Sequence, residues 1–214
     1  MFAAFMHGLI LAFGLIIPLG VQNVYVFNQG ATHSRLIQAV PSIMTAFLCD
    51  MTLILLSVLG ISLIVMELPW LKLVIFSVGV IFLSYMGWVT WKAKPHSADH
   101  SSSHSAKRQI LFAISVSILN PHAVIDTVAV IGSNSLQYLG EAKWAFTGAC
   151  ILVSFLWFWA MAISGRVLQR MDHSGTWLLR INKLSAIIIW SVAIYISVQL
   201  IELIRFTDGI LNFR

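Results

Sequence analysis

Two carboxylates lie inside apolar stretches of the sequence, where a charge is costly. Asp50 occurs in AFLCDMTLILL and Asp126 in LNPHAVIDTVAV. A charged Asp at the centre of a membrane-spanning helix costs about 2.5–3.5 kcal/mol even on lenient insertion scales. No Lys or Arg occurs deep in these stretches, so the carboxylates indicate a cationic substrate or a coupling proton. The alternative is that each is a protonated or amide-bonded packing residue.

Two proline-containing segments share one pattern. In IIPLGVQNVYV, Pro18 precedes Asn23 by five residues, and in LNPHAVIDTVAV, Pro121 precedes Asp126 by five. Proline lacks an N–H and displaces the carbonyl four residues earlier. Irregular backbone at membrane depth is tolerated where it is buried in protein or lines a watery cavity. Paired interruptions therefore predict a transporter site where the two segments meet, although two unrelated packing kinks would give the same pattern.

Neutral polar residues surround the two prolines. Gln22, Asn23 and Asn120 carry amides that offer both donors and acceptors. They suit the amine and carboxylate of a zwitterion, and they equally suit hydrogen bonds between helices. Gly20 adds backbone freedom just after Pro18. We take all of these residues as candidates for lining a path.

Histidines add two weaker signals. His122 precedes Asp126 by four residues, so an unbroken helix would put them on one face. A proton relay is one interpretation and a simple hydrogen-bonded histidine is the other. His96, His100 and His104 recur every four residues, which on a helix could ligate a metal. Their Ser-rich surroundings favour a flexible loop, so no metal site is predicted.

Composition indicates the elements that must position these residues. Of 214 residues, 59% are hydrophobic and 10% are charged, with mean hydropathy +0.89. A soluble domain usually has about 25% charged residues. A helix needs about 20 apolar residues to cross a bilayer. This predicts an all-α membrane protein with six transmembrane helices, at residues 2–27, 36–65, 70–91, 109–132, 144–165 and 184–204.

A polar linker at residues 94–107 divides the predicted spans into two sets of three. Residues 1–93 and 108–214 then form two repeats within a single transmembrane domain, 1–214. Because three is an odd number, the second repeat must be inverted in the membrane. Each repeat would begin with a Pro-interrupted helix, and the interruptions would meet near the middle of the membrane.

The basic residues predict an orientation. Cytoplasmic connectors carry an excess of Lys and Arg. Placing the linker inside gives nine basic residues on the cytoplasmic side against four outside, with both termini outside. The nine are Arg35, Lys92, Lys94, Lys107, Arg108, Arg166, Arg170, Arg180 and Lys183. Since these residues lie in short connectors, the net charge of +5 does not indicate a nucleic-acid partner.

Nothing in the spacing favours an enzyme. The sequence has no Gly-x-Ser-x-Gly elbow, no His-Glu-x-x-His and no aspartate pair at short spacing. We therefore predict neither an enzyme nor a cofactor. The aromatic triplet WFW at 157–159 is interpreted as lipid-facing bulk.

Two longer stretches carry a resemblance to a known family. GLILAFGLIIPLGVQNVYVFNQG and SILNPHAVIDTVAVIG resemble signature segments of the lysine exporter (LysE) family, especially its lysine/arginine exporter branch. Further matches extend the similarity over nearly the whole chain, at AFLCDMTLILLSVLG, FLSYMGW, SFLWFWAMAISGRVL and INKLSAIIIW. The motifs Pro-Leu-Gly-x-Gln-Asn and Asn-Pro-His-x-x-x-Asp-Thr are its most specific parts.

The resemblance implies an exporter of the bacterial inner membrane that moves basic amino acids outward, coupled to protons or to the membrane potential. One departure is visible, because many basic amino-acid exporters have a basic residue at the position of Asn28. Export of neutral amino acids or of a metal cation stays open, as do a non-transporting structural subunit and a homo-oligomer. The motif positions fall on Pro18, Gly20, Gln22, Asn23, Asp50, Asn120, Pro121 and Asp126.

Overall fold

The computed structural model describes residues 1–17, 20–33, 35–60, 69–92, 106–118, 120–172 and 176–211. Within these ranges every regular element is a helix, which confirms the all-helical class. A 3₁₀ turn at Leu36–Ala39 precedes α3, and a π-helix at Thr127–Gly132 follows α6. The α-helices are α1 (Phe2–Ile16), α2 (Val21–Thr32), α3 (Val40–Val58), α4 (Pro69–Lys92), α5 (Ala106–Ile118), α6 (Pro121–Asp126), α7 (Ser133–Ser135), α8 (Gly140–Met171) and α9 (Thr176–Leu211).

Four described helical segments are long and apolar enough to cross a membrane. Helices α1 and α2, whose axes are bent by 81° relative to each other, form a fifth candidate if the pair is counted as one span. The count of six spans stays a prediction. The four segments are Leu36–Val58, Leu73–Lys92, Gly140–Met171 and Leu179–Arg205.

Several predicted boundaries are wrong. Helices α8 and α9 extend beyond the predicted spans 144–165 and 184–204 at both ends. A helix can continue through polar residues beyond the hydrocarbon, because its backbone groups still need hydrogen-bond partners there. The apolar stretch therefore underestimates the length of the helix. Helix α5 begins at Ala106, so the last two residues of the predicted linker are helical.

The predicted span 109–132 is broken near its middle. Helix α5 ends at Ile118, and α6 begins at Pro121 after an extended residue, Asn120. Proline can begin a helix because its missing N–H would have no intrahelical partner there, but it cannot continue one. The π-helix follows α6 directly. This span therefore consists of several short helical pieces.

A second interruption separates α1 from α2. Helix α1 ends at Ile16, and α2 begins at Val21 after Gly20, whose backbone is extended. Pro18 itself lies outside the described residues. Gly20 lies beside the other interruption, because a Cβ added to it would be 4.0 Å from Nδ2 of Asn120. The two interruptions thus face each other across one space.

Helix α2 packs closely against α8 through small residues. A Cβ on Gly30 would clash with the backbone carbonyl of Ala162, and a Cβ on Gly165 would clash with the carbonyl of Phe27. In lipid, helices associate without a hydrophobic driving force, so small residues that allow close backbone approach stabilise the contact. This contact fixes the position of α2.

Helices α4 and α9 form a second close pair. The indole of Trp190 fills the space beside Gly87, where an added Cβ would clash with it. Its Nε1 donates a hydrogen bond to the carbonyl of Ser84 at 3.2 Å. The pair also contributes Leu83, Met86 and Ile189 to a buried apolar cluster.

The α2–α8 contact makes a testable prediction. Overpacking costs about 1–3 kcal/mol, more than the propensity gain of about 1 kcal/mol for Gly→Ala in a helix. We expect Gly30→Ala to lower the thermal midpoint of the purified protein in detergent, by about 2–4 °C per kcal/mol lost. The matched control is Gly14→Ala, where an added Cβ meets nothing within 4 Å. Equal midpoints for the two variants would contradict the proposed close contact.

Candidate functional site

One cavity of about 220 Å³ brings together the predicted polar residues that the structure describes. It lies between the start of α2, the middle of α3, α6 with the π-helix, and the facing sides of α8 and α9. We call it the central cavity. The predicted residues that line it are Gly20, Gln22, Asn23, Asp50, Asn120 and Asp126.

Other predicted residues are not tested by this arrangement. Pro18 lies outside the described residues, and so do the histidines of the linker at positions 96, 100 and 104. Pro121 begins α6 and His122 follows it, but the described structure does not include their side chains. The relay from His122 to Asp126 therefore stays a prediction.

Asp50 faces the central cavity from α3. Its Oδ2 accepts a hydrogen bond from the Oγ of Ser154 on α8. Ser154 is itself buried and lines the same cavity. An ionised carboxylate has about four lone-pair sites, so one hydroxyl donor leaves acceptor capacity for a ligand. Sequence reasoning missed Ser154, because one Ser in an apolar helix usually bonds its own backbone and carries no spacing signal.

Asp126 approaches the same cavity from the end of α6. The chain continues from it into the π-helix Thr127–Gly132, whose first side chain donates to the carbonyl of Ala123 at 2.7 Å. π-Helical segments are rare and often occur at functional sites, because the wider turn re-aims side chains. Both carboxylates thus line one space from two different helices.

Asn23 joins three helices. Its Nδ2 donates to the carbonyl of Ile16 at the end of α1 at 3.0 Å. Its Oδ1 accepts from Nε1 of Trp157 on α8 at 3.2 Å. The amide therefore satisfies a carbonyl at the interruption, which is the interhelical role that the sequence left open.

The interpretation of residues 157–159 as lipid-facing bulk is wrong. Trp157 binds Asn23, and Phe158 is 2% exposed and lines the central cavity. Successive residues on a helix are rotated by about 100°, because one turn takes 3.6 residues. Three adjacent side chains therefore cannot all face lipid.

Gln22 and Asn120 make different use of their amides. Gln22 donates from Nε2 to the carbonyl of Ala46 at 3.2 Å, which ties α2 to α3. Asn120 is only 6% exposed, and its Oδ1 is buried with no hydrogen-bond partner. An unsatisfied buried acceptor costs about 1–3 kcal/mol. A ligand N–H in the cavity would remove that cost.

The lining of the central cavity combines acidic and polar side chains with apolar ones. None of the described residues that line it is Lys, Arg or His. Its apolar lining includes Leu15, Ile54 and Ile189. Among the described residues, no group of three His, Cys, Asp or Glu side chains is placed to hold a metal ion. The space suits a small molecule with cationic groups and an aliphatic part.

The two asparagines should respond differently to substitution. Asn23→Ala leaves the Ile16 carbonyl and the Trp157 N–H without this partner, at about 1–3 kcal/mol for each group left unsatisfied. Asn120→Ala removes an oxygen that bonds nothing, so its effect should be smaller. We expect a clearly lower thermal midpoint in ligand-free detergent only for Asn23→Ala. The reverse order would show that the assignment of the two amides is wrong.

Comparisons with known proteins give a consistent result. The sequence model of the family described as LysE type translocator matches residues 13–200. A Bacillus subtilis (strain 168) protein named "Putative amino-acid transporter YisU" is 49% identical over 198 residues, covering 92% of this chain and 90% of the relative. The arginine exporter protein ArgO of Shigella flexneri is 33% identical, and that of Escherichia coli (strain K12) is 32% identical. Each match spans 205 residues, 92% of this chain and 94% of the relative. No solved structure matches the chain.

Proposed function

The chain belongs to the LysE-type translocator family, and on that premise we propose that it exports basic amino acids, arginine and lysine, from bacterial cells. Family members are transporters, so the chain is a multi-pass membrane transporter and not an enzyme. The observation that carries the proposal is the central cavity, where Asp50 and Asp126 share one space with both helix interruptions. The curated relatives named as arginine exporters support the choice of substrate.

The central cavity offers a partner for each part of a basic amino acid. Asp50 and Asp126 would accept hydrogen bonds from its cationic groups, and Oδ1 of Asn120 would accept one more N–H. The first N–H groups of a helix have no intrahelical partner and carry a partial positive charge. The start of α2, at Gly20 and Val21, would therefore attract the α-carboxylate.

The size of the cavity supports a small substrate. Pockets for drug-sized ligands begin at about 300 Å³, and the central cavity measures about 220 Å³. A cavity of this volume suits a single amino acid. The apolar lining residues would contact the aliphatic part of the side chain.

Contacts at one end of the molecule support the proposed orientation. Arg166 on α8 donates from Nη1 to the carbonyl of His33 at 3.1 Å. The ammonium of Lys183 on α9 lies 5.6 Å from the ring centre of Trp91 on α4. Basic connectors thus gather at the end where α4 stops and α5 begins. We propose that this linker end faces the cytoplasm of the inner-membrane protein, with both termini outside.

The two interruptions support the proposed repeat architecture. Helices α1 and α2 would form one broken span, and α5 to α7 would form the corresponding broken span of the second half. Residues 1–93 and 108–214 would then be inverted repeats of three spans in a single transmembrane domain. Binding where two broken helices meet is the arrangement common to many secondary transporters.

Neutralising the cavity carboxylates should reduce transport. A hydrogen bond to a charged group contributes about 1.5–3 kcal/mol, which corresponds to roughly a ten- to hundredfold change. We expect Asp50→Asn and Asp126→Asn each to lower kcat/KM for labelled arginine exchange in proteoliposomes by that factor. Glu141→Gln, at an exposed position outside the cavity, is the matched control.

The result that would overturn this assignment is normal exchange in both aspartate variants. If the parent exchanges only neutral amino acids or moves only a metal cation, the substrate class is wrong and the family assignment stands. If the purified chain moves nothing, and the aspartate variants only lose stability, it is a structural subunit.

Proton coupling makes a separate prediction. If one carboxylate carries the coupling proton, the reduced arginine exchange that remains in its Asn variant should no longer respond to a pH gradient, whereas the exchange that remains in the other variant should still respond. The comparison of arginine homoexchange with gradient-driven efflux measures this directly. A full gradient response in both variants would assign the coupling proton to another group, and no gradient response in the parent would assign the coupling to the membrane potential alone.

A further inference from the structure

A second cavity, of about 400 Å³, lies between α2, α4 and the start of α5. It is nearer the linker end than the central cavity, because it is lined by the last turns of α4 and the first turns of α5. We call it the linker-side cavity. Its polar lining comes from Tyr25, Asn28, Gln29, Thr90 and Gln109. None of the described residues that line it is charged.

Gln29 is the residue that indicates a ligand. It is 9% exposed and lines the linker-side cavity, and its Oε1 is buried with no hydrogen-bond partner. A buried acceptor of this kind requires a donor, which the described protein atoms do not provide. An ammonium or guanidinium N–H in the cavity would be such a donor.

The frame around Gln29 is held by hydrogen bonds. His33 Nδ1 bonds the carbonyl of Gln29 at 2.9 Å, and its Nε2 lies 3.2 Å from Nε2 of Gln109. The hydroxyl of Tyr25 donates to the carbonyl of Gln109 at 3.0 Å. Since a carbonyl only accepts, Nδ1 of His33 must carry the proton. The backbone of Gln29 is therefore fixed, while its side-chain Oε1 has no hydrogen-bond partner among the described residues.

Aromatic rings complete the cavity. The ring centres of Tyr25 and Phe112 lie 4.6 Å apart, and both residues line the space together with Tyr85. The face of an aromatic ring attracts a cation by its quadrupole. The linker-side cavity thus combines an acceptor oxygen with aromatic rings and contains no carboxylate among its described lining residues. Such a lining is suited to a cationic group that must be bound weakly and released.

The two cavities are in series along α2. Val21 lines both, and it is 3% exposed within the apolar cluster that also contains Met86 and Ile189. At 1.5 Å per residue, Gln29 lies about 12 Å further along α2 than Val21. Met86 lines the linker-side cavity and Ile189 the central one, so this cluster forms the wall between them.

We propose that the linker-side cavity is a second, weaker site for the cationic amino acid, from which substrate passes the Val21 wall into the central cavity. This inference rests on the proposed function. A path conducts well when each site binds strongly enough to admit the substrate and weakly enough to release it. The uncharged linker-side cavity and the acidic central cavity provide that order of affinities.

Equilibrium dialysis of labelled arginine against the purified full-length chain in detergent tests the proposal. We expect the parent to show two classes of site, one tight and one at least tenfold weaker. Gln29→Leu should weaken the weak class about tenfold and leave the tight class unchanged. Gln29→Glu should tighten the weak class, because it adds a carboxylate beside the cation, whereas a purely structural role predicts no such gain. Asp126→Asn should weaken only the tight class.

Transport supplies a second measurement. In proteoliposomes, Gln29→Leu should raise KM for arginine about tenfold while kcat stays within about twofold, because the chemistry of the central cavity is unchanged. Gln169→Leu is the matched control, since it makes the same replacement at an exposed position near the same end.

The outcomes separate this inference from the proposed function. The second site is overturned if both Gln29 variants bind arginine and show KM as the parent does, while the aspartate variants bind it more weakly. That outcome leaves the exporter proposal intact. A single class of arginine site in the parent has the same meaning. If the parent binds neither arginine nor lysine, both proposals fail.

Discussion

Backbone groups that are freed inside a membrane must find partners, and the site depends on how this requirement is met. Where α1 ends, the Ile16 carbonyl accepts a hydrogen bond from Asn23, which has just begun α2. The same amide accepts from Trp157, so the interruption is tied to a helix that is continuous through the membrane. Without such a partner, a bend of 81° in lipid would expose unsatisfied polar groups. The polar space at the bend can exist because the Ile16 carbonyl and the Asn23 amide beside it have hydrogen-bond partners.

The second interruption uses its amide in the opposite way. Asn120 directly precedes α6, as Gly20 precedes α2. Unlike the amide oxygen of Asn23, Oδ1 of Asn120 has no hydrogen-bond partner within the described part of the chain. One asparagine thus stabilises the frame while the other offers an acceptor to the space between them. Asp50, which comes from an unbroken helix, accepts a hydrogen bond from Ser154 on α8. Structural and ligand-facing polar groups are therefore separable, residue by residue.

Much of the architecture can be read from one sequence because its causes are local. Apolar stretches predict the helices, and proline with its neighbours predicts where two of them stop. The resemblance to the LysE family is confirmed over residues 13–200. The partners of the polar residues could not be predicted, because Ser154 and Trp157 lie 104 and 134 positions from the residues they bind. The linker-side cavity has no sequence signal either, since its lining is neutral and comes from three helices.

The close contact of Gly30 and Gly165 with the opposite backbone also has a mechanical meaning. Helices joined at backbone distance cannot slide without a clash, so α2 and α8 must move as one rigid body. The Trp190 contact makes α4 and α9 a second such body. Helix α2 lines both cavities, while α4 lines one and α9 lines the other. A small rotation of one body against the other, with Val21 near the pivot, would therefore narrow one cavity as it widens the other.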